Sequence, residues 1–563
     1  MKLYNELRNI IENAIPALKG LVFDFQATPE NQPGDIGLAC FRFAKALKKS
    51  PPDIVSQIAG IKFPSIIAET IHAGPYVNFA LDRTAFATAI IHEIIEKGNA
   101  YGSGGSGKGK KVLLEHTSIN PNASPHIGRA RNGLLGDTLA RLLRFEGYDV
   151  DVHYYVNDIG KQIGLLALQT EGKDDLTFDD ILGEYVEANK RAGKDPAFEE
   201  KGFDLLMRME HGDPEVKKTF TKLVDKCLEG QLDILSRLGL AYDTFDREST
   251  FLDDPRMEDV MAMLRDKGAL FTDDEGRTVV DLAPLGYDRE EGRYVVLMRA
   301  SGSSMYMYRD IVYTIEKIER AEDYNFVVLG EDHKMYFEQL STILRAFDRT
   351  PPEAIHYSYI LLKDGKMSTR EGTVVLLSDF LDEVTRRARE RVDEQWPDRP
   401  EKERADIARI IGIGAVRFSI LSVRPNRNVI FDWDTALSFT GDSGPYTQYS
   451  CTRITSILRK YGDTAPQTPD RVTVAHDIER DLILRLAQVE RDFEVALETR
   501  NPAILAHTAL DIAKHFSTFY NACPVLNADS AQTRESRIGI CLAVRQTLEN
   551  LLGVLGMEAP ERM

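Results

Sequence analysis

The chain has 563 residues, and this length predicts about three domains instead of one hydrophobic core. Its composition, 43% hydrophobic and 28% charged, is typical of a globular protein. The net charge of -18 excludes a protein that binds nucleic acid through overall positive charge, but it is compatible with a local basic surface.

The first hundred residues predict a small α/β domain. Helical spacing of apolar residues covers 3–14, 36–47 and 83–96, and short apolar runs predict strands at 21–25 and 76–81. The first helix carries mixed charge and lacks the apolar run of a signal peptide.

A glycine-rich run, YGSGGSGKGKK, follows at 101–111, and its composition predicts a flexible linker. The run also nearly matches the phosphate-binding pattern GxxxxGK, with Gly102, Gly107 and Lys108 in the matching places. A strand follows it where that pattern needs a helix, so a P-loop ATPase is the weaker alternative.

Strands that alternate with helices begin just after this run. The strands cover 112–114, 150–156, 240–245, 326–329 and 355–362, with a further strand beginning at 295. Residues 171–238 predict a helical insertion, and 267–282 predict a β-hairpin. This alternation predicts a doubly wound parallel sheet, which binds ligands at the carboxyl ends of its strands.

Helical patterns dominate the chain from residue 377 onward. They cover 378–394, 403–421, 446–460, 473–499, 502–521 and 534–555. We therefore predict an all-α bundle at 377–563, a parallel-sheet domain at 106–376 with insertions at about 171–238 and 255–292, and an N-terminal domain at 1–105.

The cysteines and the apolar runs restrict the class of protein further. The five cysteines are scattered without a CxxC pair, which argues against a disulfide framework and a structural zinc site. No uncharged apolar run reaches the roughly 20 residues that span a bilayer. We expect a cytoplasmic protein with reduced thiols and no membrane segment.

The loop after the first sheet strand runs into a helix that begins near His126. Backbone N–H groups and the helix dipole favour an anion at such a position. His126 and Arg129 are three residues apart and share a helix face, with Arg131 close by. A later loop at 363–372 is rich in Lys, Arg and hydroxyl groups. Cations on two sides of a helix mouth suit a nucleoside triphosphate.

A third segment pairs an acid with a phenol. Tyr306 and Asp310 are four residues apart, on one helix face, and together suit a cationic guanidinium or ammonium group. Taken singly, His126 could be an ordinary helix cap, Asp310 a solvated residue and 366–370 a basic turn. Their order on consecutive strand-end loops favours one common site.

Several motifs in this order resemble those of one family. HIGR at 126–129 resembles the HIGH signature, KMSTR at 366–370 resembles KMSKS, and MYMYRD at 305–310 resembles an arginine-pocket segment. Further resemblance lies in GDIGLACFRFAKALKKSPPDIVSQIA, GPYVNFAL, DSGPYTQYSCTRITSIL and the final APERM. The chain thus resembles, over essentially its whole length, the arginyl-tRNA synthetases, which are class I aminoacyl-tRNA synthetases.

The resemblance implies a Rossmann-type class I catalytic domain, an N-terminal domain that meets the tRNA D-loop and an anticodon-binding bundle. It implies activation of L-arginine by ATP, with Mg²⁺ on the ATP phosphates and no metal bound by the protein. The arginyl group would then pass to tRNA(Arg), which would have to bind before the adenylate forms. We expect the protein to be a monomer.

The resemblance also assigns roles to particular residues. The catalytic residues would be His126, Arg129 and Lys366. The ATP-binding residues would be His126, Gly128, Arg129, Lys366, Met367 and Ser368. The arginine-binding residues would be Glu115, Asn120, Tyr306, Asp310 and His333. The tRNA-binding residues would be Asn78, Tyr446, Tyr449, Tyr520 and Met563.

Four positions depart from the family pattern. Arg129 stands at the second His of HIGH, and Thr369 stands at the later Lys of KMSKS. His333 stands where the pocket often has Gln, and Ala123 stands where some members have a Lys upstream of HIGH. A non-catalytic tRNA-binding paralogue is therefore the alternative function.

Overall fold

The computed structural model of the protein describes residues 2–29, 32–122, 124–173, 175–363, 375–462 and 468–561. Its N-terminal elements are α1 (Lys2–Ala14), β1 (Phe25–Ala27), β2 (Ile36–Ala39), α2 (Ala44–Leu47), α3 (Pro51–Ala59), β3 (Ile67–Ala73), β4 (Tyr76–Leu81) and α4 (Arg83–Lys97). The four strands form an antiparallel sheet of order β1-β2-β4-β3. The small α/β domain is confirmed.

Two predicted N-terminal elements are wrong in detail. The predicted helix at 36–47 begins instead as strand β2, which lies between β1 and β4 and is buried throughout. An apolar run this short does not distinguish a buried strand from a helix, and pairing on both sides decides for the strand. The strand predicted at 21–25 begins only at Phe25.

The glycine-rich run at 101–110 is a packed turn and not a flexible linker. The backbone N–H groups of Gly104 and Ser106 donate to the buried carboxylate of Glu146 over 3.2 and 3.3 Å. A Cβ on Gly107 would lie 2.0 Å from the ring of Tyr148. Because Glu146 already holds these amides, and because a strand follows the run, the P-loop alternative is wrong.

The middle of the chain alternates strands and helices as predicted. In order, the elements are β5 (Lys111–Glu115), α5 (Ile127–Phe145), β6 (Asp149–Val156), α6 (Lys161–Gln169), α7 (Phe178–Ala192), α8 (Pro196–Glu210), α9 (Pro214–Ser236), β7 (Thr244–Arg247), α10 (Arg256–Asp266), β8 (Leu270–Thr272), β9 (Thr278–Asp281), β10 (Tyr294–Met298), α11 (Tyr306–Arg320), β11 (Tyr324–Gly330), α12 (Lys334–Ala346), β12 (Glu353–Tyr357) and β13 (Ile360–Leu362).

Five of these strands form a parallel sheet of order β12-β11-β5-β6-β7. The chain builds the sheet outward from β5 in one direction and then returns to build it outward through β11 in the other. The switch point therefore lies between β5 and β11, and ligands of such sheets bind in the crevice there. The doubly wound parallel sheet is confirmed.

The insertions are built as separate layers. Helices α7, α8 and α9 confirm the helical insertion, and β8 with β9 confirms the hairpin. Strand β10 pairs antiparallel with β9, so it belongs to a three-stranded sheet and not to the parallel one.

The C-terminal part is helical. Its elements are α13 (Leu377–Gln395), α14 (Glu401–Leu421), β14 (Val429–Phe431), α15 (Trp433–Ala436), α16 (Gly444–Tyr461), α17 (Asp477–Leu486), α18 (Val489–Glu498), α19 (Ala503–Ala522) and α20 (Ala531–Val554). The predicted helix at 473–499 is two helices, and the predicted strand at 355–362 is also divided. Its second part, β13, pairs in parallel with β14.

One contiguous cluster of buried apolar side chains runs through the N-terminal sheet, the parallel sheet and the C-terminal helices. A second cluster packs the three-stranded sheet against α10, α11 and α12. The fully buried guanidinium of Arg417 on α14 pairs with the carboxylate of Asp137 on α5, which joins the helical bundle to the parallel sheet.

All five cysteines are free and buried. Each helix in the described ranges is too short or too polar to cross a membrane.

Candidate active site

His126 begins helix α5 at the switch point of the parallel sheet. Its Nδ1 accepts a hydrogen bond from the backbone N–H of Gly128 over 3.1 Å, so the imidazole caps its own helix. A Cβ on Gly128 would lie 2.9 Å from this ring, which explains the glycine. Burial, and then the nearby guanidinium of Arg129, lower the pKa of His126. The neutral ring accepts at Nδ1 and therefore carries its proton at Nε2, where it can donate to an anion.

The loop between β5 and α5 is held by Asn132. The backbone N–H of Thr117 donates to Asn132 Oδ1 over 2.6 Å, and Asn132 Nδ2 donates to the carbonyl of Val328 on β11 over 2.9 Å. Thr117 and Ser118 both have positive φ angles, 74° and 44°, so the chain turns sharply here. Asn132 thus joins the two strands that flank the switch point, a role that the sequence analysis missed.

The two arginines at the helix mouth have different environments. Arg131 is fully buried and donates to the carbonyls of Ser358, Tyr359 and Arg424, and burial lowers its pKa to about 10. Arg131 is therefore a structural residue. Within the described part of the chain, the half-buried side chain of Arg129 makes no hydrogen bond or ion pair. Arg129 is the available cation beside His126.

The second signature falls in residues 364–374, so Lys366, Met367, Ser368, Thr369 and Arg370 lie outside the described residues. The residues on either side of this segment are described. Before it, the ammonium of Lys363 pairs with Asp432. After it, the carbonyl of Val375 accepts from Ile127 N over 3.3 Å, and Leu377 N donates to the carbonyl of Pro125 over 2.8 Å. Residues 375–377 therefore lie against the HIGR segment.

Asp310 on α11 is half-buried and lies between two hydroxyl donors. Its Oδ2 accepts from the phenol of Tyr336 over 2.6 Å, and its Oδ1 accepts from Thr314 Oγ1 over 3.3 Å. Burial raises the pKa of Asp310 above its ordinary value. One helical turn earlier, the ring of Tyr306 stacks on Tyr336, with centroids 5.1 Å apart and planes at 22°. The side chain of Tyr306 is 53% exposed, so a ligand can reach it.

Glu115 ends β5 and forms a buried ion pair with Lys317 of α11. The Lys317 ammonium lies 2.5 Å from Glu115 Oε2 and 4.3 Å from the ring centroid of Tyr313. Lys317 also interacts electrostatically with Asp310. Two carboxylates and one ammonium leave this region with net negative charge, which favours a cationic ligand. Lys317 was not predicted from the sequence, because it lies seven residues beyond Asp310 and outside the MYMYRD motif.

Asn120 and His333 are exposed residues that follow β5 and β11, respectively. Asn120 is exposed, and its carbonyl accepts from Gln231 Nε2 over 2.9 Å, which fixes the loop that carries its side chain. His333 is exposed at the carboxyl end of β11, and its Nε2 is 3.8 Å from Asp332 Oδ2. Within the described residues, neither side chain forms a hydrogen bond with Asp310, and their pocket roles stay predictions.

A stack of planar groups lies on the surface of the helical bundle. The guanidinium of Arg453 lies 4.8 Å from the ring centroid of Tyr449 and 4.9 Å from that of Tyr520. Both tyrosines were predicted from the sequence, but Arg453 was not, although it follows Tyr449 by one helical turn. Tyr446 lies one turn earlier on α16 and is half-buried.

The C-terminal tail runs along the same helix. Gln448 Nε2 donates to the carbonyl of Glu558 over 2.7 Å, and Thr452 Oγ1 donates to that of Pro560 over 2.8 Å. Met563 itself lies outside the described residues. These bonds place the last described residues beside α16.

Asn78 is placed inside the N-terminal sheet and not on its surface. Its side chain is 3% exposed, and Nδ2 donates to the carbonyl of Pro33 over 2.8 Å. The aromatic side chains that are exposed on this domain are Phe41 and Tyr76, with ring centroids 5.8 Å apart. The predicted contact of Asn78 with tRNA stays a prediction, and these two rings are surface residues that the sequence analysis missed.

The fold and this site together define a class of protein. A five-stranded parallel sheet has a HIGH-like segment at its switch point, and the residues that follow a KMSKS-like segment pair with it. This combination defines the catalytic domain of a class I aminoacyl-tRNA synthetase.

Comparison with known proteins identifies the family. The family model "tRNA synthetases class I (R), catalytic domain" matches residues 90–433, the DALR anticodon binding domain matches 447–563, and the arginyl tRNA synthetase N terminal domain matches 5–81. The chain is 37% identical over 547 residues to the arginine–tRNA ligase of Methanopyrus kandleri, covering 92% of this chain and 90% of the relative. It is 35% identical over 575 residues to that of Methanocella arvoryzae, covering 100% of both.

A solved structure agrees. The arginyl-tRNA synthetase of Thermus thermophilus has a TM-score of 0.81 and 29% identity, covering 99% of this chain and 100% of that one. The chain therefore belongs to the arginyl-tRNA synthetases, the arginine–tRNA ligases, and the resemblance seen in its motifs is confirmed.

Proposed function

We propose that this chain activates L-arginine with ATP and transfers the arginyl group to the 3′-terminal ribose of tRNA(Arg). In the first step, the arginine carboxylate attacks the α-phosphorus of ATP, which gives arginyl-adenylate and releases pyrophosphate. In the second step, the ribose hydroxyl attacks the adenylate carbonyl, which releases AMP. Neither step needs a protein nucleophile, so the protein acts by positioning and by charge stabilisation.

The observation that carries this proposal is the backbone pairing between residues 375–377 and the HIGR segment. It supports a site in which both signatures act on one ATP molecule at the mouth of α5. There His126 donates from Nε2 and Arg129 supplies positive charge to the phosphates, while Gly128 allows the ring of His126 to cap the helix. Lys366, Met367 and Ser368 are proposed as the contribution of the second signature.

Magnesium is proposed to bind the ATP phosphates and to enter the site as part of the MgATP substrate. Among the described residues, no three His, Cys, Asp or Glu side chains lie together as a metal site. The groups at the mouth of α5 are instead an imidazole, a guanidinium and amides, which suit phosphate oxygens. In this proposal the phosphates of ATP carry the Mg²⁺.

The arginine substrate is proposed to place its guanidinium against Asp310 and the exposed face of Tyr306. Asn120, in the loop after β5, and His126 would approach the α-amino and α-carboxylate groups of the arginine. Glu115, at the end of β5, is also proposed to contact the arginine. His333 would approach from the carboxyl end of β11. The negative charge around Asp310 favours a cationic side chain, and pairing with that side chain would stabilise the charged carboxylate that burial disfavours.

The tRNA is proposed to place its anticodon on the stack of Tyr449, Arg453 and Tyr520, because bases stack on aromatic rings and on guanidinium planes. Tyr446 and Met563 would complete this surface, and the domain of Asn78 would meet the D-loop. We further propose that tRNA must bind before the adenylate forms, that the domains divide at 1–105, 106–376 and 377–563, and that the protein is a cytoplasmic monomer.

Charging of a tRNA(Arg) transcript with labelled arginine tests the proposal. We expect label in the tRNA that depends on ATP and arginine, and none when lysine replaces arginine. The non-catalytic paralogue predicts a different result, in which the protein retains the transcript in a binding assay but transfers no label. That result would overturn the proposed reaction and leave the tRNA-binding surfaces intact.

A further inference from the structure

We propose that Tyr336 is a specificity-determining positioning residue, whose hydroxyl orients the Asp310 carboxylate and whose ring supports Tyr306 for a guanidinium ligand. This inference rests on the proposed binding of arginine by Asp310. Tyr336 lies on α12 and both partners lie on α11, so the residue joins two helices at the pocket.

The two contacts of Tyr336 act on the two groups that would hold the guanidinium. Its hydroxyl donates to Asp310 Oδ2 over 2.6 Å. Its ring lies parallel to that of Tyr306, with centroids 5.1 Å apart and planes at 22°. Tyr336 therefore holds in place both the Asp310 carboxylate and the ring of Tyr306.

The hydroxyl contact restricts a torsion that is otherwise soft. The second side-chain torsion of an aspartate has a broad distribution, so a free carboxylate can rotate about its bond. A phenol that donates to one oxygen fixes the carboxylate plane. Each carboxylate oxygen can accept two hydrogen bonds, so both oxygens of Asp310 can still accept from a ligand.

A fixed carboxylate plane matters for arginine more than for lysine. A guanidinium is planar and pairs with a carboxylate through two parallel hydrogen bonds, whereas an ammonium is a point charge that accepts many directions. The support of Tyr306 by a parallel ring also favours a planar cation that stacks. Tyr336 thus gives the pocket a preference for the guanidinium over an ammonium of the same charge.

The charges around Asp310 come from several elements. Facing it are Lys317 and Tyr306 on α11, Glu115 on β5, Tyr155 on β6, Tyr336 on α12 and Glu248, which follows β7 and pairs with Arg309. Burial raises the pKa of Asp310, and the hydroxyl of Tyr336 opposes that rise. Loss of the hydroxyl should therefore raise the pKa further and move the loss of arginine affinity to higher pH.

Tyr336→Phe tests this role, since it keeps the ring and removes the hydroxyl. We expect the KM for arginine in tRNA charging to rise about tenfold, with kcat changed less than about threefold, on the scale of one hydrogen bond to a charged group. The inhibition constant of lysine as a competitor should change much less. The pH midpoint of the arginine KM should move upward, and a higher pH should restore part of the affinity.

Tyr308→Phe is the matched control. Its hydroxyl donates to the carbonyl of Met257 over 2.6 Å in the second apolar cluster, so this variant also loses a buried hydroxyl but not one at the pocket. Tyr308→Phe should leave the pH midpoint of the arginine KM unchanged. Thr314→Val removes the longer hydrogen bond to Asp310. It should move the pH midpoint of the arginine KM upward, as Tyr336→Phe does, but by less. This second variant tests the role of the hydroxyl donors if Tyr336→Phe fails to fold.

Two results are distinguishable. If the wild-type protein charges tRNA with arginine and both pocket variants keep its KM and pH midpoint, the role of Tyr336 is wrong and the function stands. If the wild-type protein neither binds nor transfers arginine, the proposed function fails, and the positioning role fails with it.

Discussion

Replacement of Asp310 by Asn tests the arginine pocket most sharply, because the two side chains have the same size and differ in charge. The Asp310 side chain is half-buried and has two hydroxyl donors, so the amide variant can keep a similar shape. What it loses is the charge that would pair with the guanidinium. We expect arginine binding to weaken strongly, while ATP and tRNA binding stay close to those of the wild type.

The magnitude follows from the environment of Asp310. Truncation of one partner of a buried charge pair costs about 2–5 kcal/mol, which corresponds to roughly 30-fold to several-thousand-fold in affinity. Glu115 stays negative in the variant, but Lys317 already neutralises it over 2.5 Å. Because the remaining acid is paired, little compensation is available, and the KM for arginine should rise by at least about 30-fold.

The pH dependence supplies a second test. Burial raises the pKa of Asp310, so in the wild type the pairing exists above that pKa and is lost as the pH falls through it. The Asn variant has no such group and should lose this part of the pH profile. Steady-state charging assays across pH measure both effects.

The control is Glu319→Gln on the same helix, whose carboxylate is exposed and pairs with Arg256 and Arg349. An unchanged KM for arginine in the Asn variant would remove Asp310 from the pocket.

Three further predictions concern other parts of the molecule. Tyr449→Ala should weaken tRNA binding by about 1–3 kcal/mol, the scale of one stacked base, and should leave the arginine KM unchanged. Filter binding and charging kinetics measure the two quantities. Unchanged tRNA binding with a raised arginine KM would contradict the anticodon surface beside Arg453. Lys108→Ala should retain charging activity, since the backbone amides of its glycine-rich turn already bind Glu146. Loss of activity would revive the P-loop alternative. Asp137→Asn should lower the free energy of unfolding by about 3–5 kcal/mol, because the buried Arg417 then loses its negatively charged partner, and urea unfolding measures this. Burial opposes ionisation of Asp137, but Arg417 and Arg141 lower its pKa overall, so this stabilisation exists above the unfolded-state pKa and should be lost as the pH falls through the folded-state value.

The parallel sheet was predictable because its strands are apolar, short and separated by helical patterns. Prediction failed where long-range pairing decides the structure. Residues 36–39 became a strand because two neighbouring strands pair with them. The run 355–362 divides near Ser358, whose N–H donates to the carbonyl of Pro425 and whose carbonyl accepts from Arg131. Such contacts join residues far apart in the chain, and no local pattern records them.

The site shows the same division between local and long-range information. His126, Arg129, Tyr306 and Asp310 lie in short motifs, so their spacing alone indicates them. Asn132, Lys317 and Tyr336 lie on ordinary helix faces, and only the fold brings them to the site. The sequence at the helix mouth also does not reveal whether an arginine is free, as Arg129 is within the described chain, or structural, as Arg131 is.

The central claim is that the mouth of α5 activates arginine even though Arg129 stands at the second His of the signature. Exchange of labelled pyrophosphate into ATP measures this step directly. We predict exchange that requires both arginine and tRNA(Arg), and that falls by about 10²–10³ when His126 is replaced by Ala, the scale for loss of one positioned donor. A folded wild-type sample that binds tRNA(Arg) but shows no exchange with arginine would contradict the account.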